Sequence, residues 1–329
     1  MPPESAPPTF SIMQPGDFIS VIICTHQPDL GRLQRVLQAL DMQTLPKNQW
    51  ECLLVDNASA PPLAEQIAPN WPSHLRVIPE PELGLTPARL RGIKEAMGDV
   101  LVFIDDDCLP KPSYLSTVRQ IFTEHPFLGV VGGYGKAEYE TPPPDWMPTS
   151  IRHYHLDMQH PPPGHALIYA RIQGQFGHWF PVGAGLAIRK QAATSYADQI
   201  QSDPVARHFD RAGKSLIGSG DHDMSICTIN QGYAVGKHRD LQFIHIVPSF
   251  RLQLPYMLRL LYMSNYSTTR LLIHRGWMQA APAALAGPLQ KMKRWIVNRW
   301  PRSPLAQCRH ALQRGRTDAL AGYPPSFDY

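Results

Sequence analysis

Cysteine is scarce in this chain of 329 residues, and the five present (Cys24, Cys52, Cys108, Cys227 and Cys308) form no Cys-x-x-Cys pair. An odd, dispersed set supports neither a zinc cage nor a disulfide framework and fits a reducing cytoplasm. Long apolar runs are missing as well. The best window, residues 276–290, carries two prolines and falls short of the roughly 20 apolar residues a membrane span needs. The first eight residues lack the charged and apolar regions of a secretory signal, so residues 1–16 read as a short disordered lead. No internal repeat is visible. Acid is sparse near the C-terminus, where Lys291, Lys293, Arg294, Arg299, Arg302, Arg309, Arg314 and Arg316 concentrate basic charge that the formal net charge of +4 hides.

What is there suits a large folded α/β domain with an appendage. Hydrophobic residues make up 43% of the chain and charged ones 18%, the balance of a globular protein. Thirty-four prolines cluster at 2–15, 142–148, 161–163 and in the last forty residues, where they interrupt regular structure. Residues 18–24 form a β-branched apolar run, read as a strand buried on both faces, and Leu30, Leu33, Val36, Leu37 and Leu40 then recur at helical spacing. Further strands are expected at 50–55, 75–78 and 100–103, with a helix opened by Thr86-Pro87 and running to Met97. Strands alternating with helices imply a mostly parallel sheet, whose ligands bind beyond the carboxyl ends of the strands. Thr25, Asp56 and the run Asp105-Asp106-Asp107 all fall at such ends.

Three adjacent carboxylates behind the apolar run Val100-Leu101-Val102-Phe103-Ile104 raise one another's pKa unless something neutralises them. One reading is an acidic turn, since turns favour Asp. The other is a divalent cation, Mn²⁺ or Mg²⁺, held by one or two carboxylates together with substrate phosphates, which implies a nucleotide-bearing substrate. Residues 136–181 show no sustained periodicity and read as a functional or mobile segment. Gly183-Ala184-Gly185 punctuates a turn into the next strand, and Gly218-Ser219-Gly220 leads into Asp221-His222-Asp223 and a helix reaching Gln231. A last strand is expected at 241–247.

The ordered set Ser20-Val21-Ile22-Ile23-Cys24-Thr25, Leu54-Val55-Asp56-Asn57, Gly84-Leu85-Thr86-Pro87-Ala88-Arg89-Leu90-Arg91-Gly92 and Phe103-Ile104-Asp105-Asp106-Asp107 resembles family 2 glycosyltransferases of the inverting GT-A fold. The resemblance continues through Gly183-Ala184-Gly185 and Gly220-Asp221-His222-Asp223. It implies a GT-A catalytic domain over 17–250 with a Rossmann-like sheet, followed by a helical basic extension over 251–329. By the same resemblance, Thr25, Asp56, Arg89 and Asp105 hold the nucleotide part of a nucleotide-diphospho-sugar donor, and Asp107 is a metal ligand. Asp221 stands as the general base for attack by a hydroxyl acceptor, a glycan or a lipid-linked one, with Asp223 as its substitute. Two positions depart from the family pattern: Leu90 replaces Asn, and Gly220 replaces the Glu that precedes the base.

Several residues carry two readings. Asp221 also suits a helix N-cap. His245, inside an apolar strand pattern, is either a satisfied core histidine or a second metal ligand. Arg251 could grip a phosphate or carry a solvated charge. Trp179 and Trp146 could stack on sugar or fill the core. Gly183 and Gly185 mark a tight turn or a close approach of acceptor and sugar. The basic C-terminal helices suit peripheral contact with an anionic membrane at the inner face, or packing on the catalytic domain. A nucleic acid is not among the expected partners. The competing functional classes are a non-catalytic sugar-nucleotide or carbohydrate-binding relative and a sugar nucleotidyltransferase. Thr25-His26-Gln27-Pro28 lacks the glycine-rich basic loop the latter would need.

Overall fold

Strict alternation along Ile19–Thr25 sets the architecture. Ile19, Val21 and Ile23 enter one core and Ile22 enters the other, so this first strand (β1) is apolar on both faces and must be covered by helices on both sides. The structure, a computed structural model, describes residues 17–66, 75–156, 164–213, 215–280 and 303–325. The N-terminal lead, residues 281–290 of the best apolar window, and Lys291, Lys293, Arg294, Arg299 and Arg302 lie outside the described residues.

Helix α1 (Leu30–Asp41) follows, its first turn capped by the Asp29 carboxylate, which accepts from the Arg32 amide. Next come β2 (Trp50–Asn57), the short α2 (Leu63–Gln66), β3 (Leu75–Glu80), α3 (Leu85–Glu95), β4 (Val100–Phe103), β5 (Cys108–Pro110), α4 (Tyr114–Glu124) and β6 (Leu128–Tyr139). The region after β6 is less bare than its composition implies, with α5 (Thr149–His155) and β7 (Leu167–Ala170) inside it. The chain continues through β8 (Leu186–Arg189), α6 (Lys190–Gln201), α7 (Gly220–Asn230), β9 (Ala234–Val247), α8 (Leu254–His274) and α9 (Pro304–Leu320).

The sheet order is β3-β2-β1-β4-β8-β6-β9-β5, with β7 also paired to β9. From β3 to β4 all pairs are parallel, as alternating strands and helices predict. Beyond β4 the sheet is mixed, because β8 runs antiparallel to both β4 and β6 and the long β9 takes β5 and β7 antiparallel on its free edge. Strand β9 begins seven residues earlier than the apolar run at 241–247 indicates. Its first half is punctuated by Gly236 and Lys237, which mask the pattern.

Helix α3 starts at Leu85 and ends at Glu95, two residues before the expected stop at Met97. The cause is a buried polar knot at the base of the sheet. The Glu51 carboxylate, on β2, accepts from the Ser20 hydroxyl (2.7 Å) and the Met97 amide (2.8 Å) and pairs with Arg76 (2.9 Å), while the Gly98 amide donates to Ser20 Oγ (2.8 Å). That knot pulls the chain out of helical conformation and brings Gly98 so close to β1 that a Cβ there would lie 2.5 Å from the Ser20 nitrogen. Backbone cannot yield as a side chain can. Gly98→Ala is therefore expected to lower stability by about 1–3 kcal/mol, the usual cost of overpacking, as read by urea unfolding; an unchanged midpoint would show that the knot tolerates expansion.

The C-terminal helices form their own apolar cluster, in which Leu258, Leu261 and Tyr262 of α8 pack with Cys308, Ala311 and Ala319 of α9. Helix α8 is also tied to the sheet domain. The Ser219 hydroxyl donates to Ser267 Oγ (2.9 Å), and Arg275, just past the end of α8, makes a two-pronged pair with Asp223 on α7 (2.6 and 2.8 Å). Among the described residues, no helix is long and apolar enough to cross a membrane.

Candidate active site

Beyond the carboxyl ends of β1 and β4 lies a cleft of about 740 Å³, within the size range of small-molecule sites. One wall is the Asp105–Asp107 turn, another the start of α7 with Asp221. A third is α8, which contributes Tyr256, Leu260, Ser264 and Thr268 at successive turns of one face. Arg316 of α9 completes the rim.

The three aspartates separate by partner. Asp107 is fixed on both sides: the Ile246 amide donates to its carbonyl (2.8 Å), and the β5–β9 register sets Cys108 opposite His245. This brings Asp107 Oδ2 to 3.7 Å from His245 Nε2. The other ring nitrogen, Nδ1, bonds the Leu156 carbonyl (2.8 Å). A carbonyl can only accept, so Nδ1 carries the proton, and Nε2 is left to accept from the Arg251 guanidinium beside the carboxylate. Burial works against ionisation of Asp107, but the Arg251 guanidinium at Oδ2 and the Cys108 thiol at Oδ1 hold the carboxyl well below its usual range. Asp106 takes the Thr25 hydroxyl; burial and the neighbouring Asp107 push it up to about 6 despite that bond. Asp105 is raised by burial and by Asp107, and among the described residues its carboxylate makes no hydrogen bond.

The fourth carboxylate, Asp221, sits in the first turn of α7 behind the N-cap residue Ser219, so it is not the cap itself. One oxygen accepts from the Gly183 amide (2.7 Å) and the other from the His222 amide (2.7 Å), which fixes its direction while leaving lone pairs free. The buried Arg89, whose guanidinium bonds Asp210 at 2.5 Å, also acts electrostatically on Asp221 and Asp105. Burial disfavours that charge, yet Asp210 and Asp221 more than restore it. The glycines are spatial requirements here. A Cβ on Gly183 would lie 2.5 Å from Arg89 Nη2, and one on Gly220 would run into the Asp210 carboxylate. Gly220 is thus explained: the acid beside Arg89 comes from Asp210, and its oxygens fill the space a side chain at 220 would need.

The structure therefore gathers Thr25, Arg89, Asp105, Asp107, Gly183, Asp221 and His245 around one cavity. It places four other expected residues elsewhere. Asp56 does not line the cleft: its two oxygens accept from the Ser59 and Leu63 amides and so cap α2. Asp223 is buried against Arg275, on the side of α7 away from the cleft. Gly185, at φ +71°, gives its carbonyl to the Tyr114 hydroxyl and packs on Phe243. Trp179 packs against the hydrophobic core, while its neighbours Phe176 and Phe180 line the cleft.

Sequence reasoning missed Asp210, Lys237 and the α8 face. Lys237 is buried beside Asp221, and burial lowers it to about 8. A lysine in the apolar stretch Ala234-Val235-Gly236 was the available signal. Nothing in the periodicity of α8 marks which polar residues meet a cavity.

Two outcomes follow from these charges. Asp210→Ala leaves a buried guanidinium unpaired and is expected to cost about 3–5 kcal/mol, whereas adding Arg89→Met should recover much of that loss; strictly additive costs in urea unfolding would show that the pair is not coupled. For Asp106, the raised pKa means the folded state favours the protonated acid. Its contribution is thus fully present below about pH 4 and lost as pH rises through about 6. With chelator present, Asp106→Asn should match wild type at pH 4 and gain up to about 3 kcal/mol by pH 8; a pH-independent difference would contradict this.

Comparison with known proteins agrees with this geometry. A model of glycosyl transferase family 2 matches residues 20–187, just over half of the chain. Glycosyltransferase AglE of Haloferax volcanii is 34% identical over 101 residues, covering 30% of this chain and 33% of AglE, so the match spans about a third of that relative. Among solved structures, the mannosyltransferase PcManGT of Pyrobaculum calidifontis, in complex with GDP-Man and Mn²⁺, superposes with a TM-score of 0.51 at 15% identity, covering 97% of this chain and 80% of that one. TarS of S. aureus gives 0.48 at 14% identity over 93% of this chain and 55% of that one. With the order of its motifs, the GT-A architecture and the family match in agreement, the chain belongs to glycosyl transferase family 2.

Proposed function

We propose that the cleft transfers a sugar from a nucleotide-diphospho-sugar to a hydroxyl acceptor with inversion at the anomeric carbon. The observation that carries this reading is the placement of Asp221, the Asp105–Asp107 turn and Arg89 in one cavity. Asp221 takes the proton of the acceptor hydroxyl. As that oxygen bonds to the anomeric carbon, the bond from the carbon to the diphosphate oxygen breaks and the nucleoside diphosphate leaves. The two amide donors to Asp221 aim it, and Arg89 and Lys237 place positive charge beside it.

The donor set at Asp107 fits a divalent cation such as Mn²⁺ or Mg²⁺. An ionised carboxylate oxygen and an unprotonated imidazole nitrogen converge there, and a positive group, the Arg251 guanidinium, already lies on both. The Cys108 thiol donates to Asp107 Oδ1 (3.4 Å), and burial raises its pKa well above the usual thiol value, so it supports the carboxylate rather than acting as a ligand. When bound, the cation would offset the charge of the departing diphosphate. Asp105, with its carboxylate facing the cleft, suits a ribose or sugar hydroxyl. Thr25 acts through Asp106, and Arg89 through Asp221 and Asp210, rather than by a free contact to the nucleotide.

The helices after residue 250 belong to this unit because α8 walls the cleft and α9 supplies Arg316. We infer that they shape the acceptor side, for a glycan or a lipid-linked acceptor on the cytoplasmic face of a membrane. Of the basic residues described near the C-terminus, Arg314 pairs with Asp318, Arg316 faces the cleft and Arg309 is exposed, so we assign contact with an anionic membrane to Arg309 and the basic residues of 291–302.

Asp221→Asn should bind the donor within about threefold of wild type in a thermal-shift titration while release of nucleoside diphosphate to acceptor falls roughly 10²–10⁴-fold. Retained transfer would remove Asp221 from the role of base.

A further inference from the structure

Arg251 occupies an unusual position for a free cleft arginine. It lies in the short 3₁₀ turn Ser249–Leu252 between β9 and α8. Its guanidinium donates through Nη1 to His245 Nε2 (3.0 Å) and through Nη2 to Asp107 Oδ2 (3.1 Å). Those are the two donor atoms, 3.7 Å apart, that suit a divalent cation. The same side chain leaves its Nε–H buried without a hydrogen-bond partner among the described residues. The two acceptors are rigid, one locked by the β5–β9 pairing and the other by the Leu156 carbonyl, whereas the arginine is long and reaches them from a turn.

We propose that Arg251 is a resident counter-ion exchanged for the divalent cation. It holds Asp107 and His245 in place while the site is empty of metal, and it must swing away before both ligands can close on an ion. This inference rests on the reading of Asp107 and His245 as cation ligands in a sugar-nucleotide site. Two positive groups sharing one carboxylate oxygen repel, so guanidinium and metal cannot both keep that contact. The exchange needs a new partner for the displaced guanidinium, and the donor's diphosphate supplies one, with oxygens that match its planar fork. Its unpartnered Nε–H then gains an acceptor as well. The chain alone therefore binds metal weakly, and metal and nucleoside diphosphate bind with mutual reinforcement that runs through Arg251.

The test is calorimetric or EPR titration of the full-length chain with Mn²⁺ alone, with no nucleotide and no turnover. Arg251→Gln, which keeps an amide donor and most of the length, and Arg251→Met are compared with wild type. Arg211→Gln serves as a control that removes one charge from the same cleft without touching Asp107 or His245. The expected result is at least tenfold tighter Mn²⁺ binding by both Arg251 variants and less than threefold by the control. The gain should vanish when Asp107→Asn is added. A nucleoside diphosphate should then tighten Mn²⁺ binding by a larger factor in wild type than in Arg251→Gln. Unchanged or weaker binding by the Arg251 variants, or a gain equal to the control's, overturns the exchange. So does absence of Mn²⁺ binding in every protein. In that event, a thermal shift by sugar nucleotides in chelator shows whether the donor site itself stands.

Discussion

Carboxylates crowded into a half-closed cavity are tolerable only if positive charge is threaded among them, and this constraint organises the structure. Asp105, Asp106, Asp107, Asp210 and Asp221 all face one cleft. Water is too restricted there to solvate five negative charges, so each either finds a cation or retains its proton more strongly. Arg89 serves Asp210 and Asp221, Arg251 serves Asp107, and Asp106, left with a hydroxyl partner, is displaced upward in pKa. The arrangement is electrostatically loaded before any substrate arrives, as functional sites often are.

Backbone geometry makes this density of charge possible. Parallel strands β1 and β4 end side by side and deliver Thr25 and the aspartate turn to one edge. Glycines at 183 and 220 let the turn before β8 and the start of α7 approach Arg89 closely enough for amide nitrogens, rather than side chains, to meet the acids. The antiparallel β5–β9 pair then sets His245 against the end of the aspartate turn. Helix α8, pinned through Ser267 and Arg275 to α7, closes the remaining side. The site is therefore built from elements spread across the chain, each held by its own packing.

Much of this was legible in the residues. Apolar runs of strand length gave β1, β2 and β4 because strands buried on both faces leave an unbroken signal. Asp107 and His245 could be singled out because ionisable groups stand out against apolar strands. Asp56, at a strand end, and Asp223, the substitute base, have partners that the residues did not announce: the first caps a helix, and the second pairs with an arginine fifty-two residues later. Such partners are set by tertiary placement, which periodicity does not encode. Asp210 and the α8 face were invisible for the same reason, since an irregular loop and an amphipathic helix look alike whether or not they border a cavity.

The central claim is that the chain breaks the bond between the anomeric carbon and the diphosphate, and ³¹P NMR of a sugar-nucleotide panel incubated with the protein, Mn²⁺ and hydroxyl acceptors tests it most directly. The account predicts that at least one donor yields a nucleoside diphosphate. Formation of a nucleoside monophosphate with a sugar phosphate, or no turnover of any donor, would contradict it.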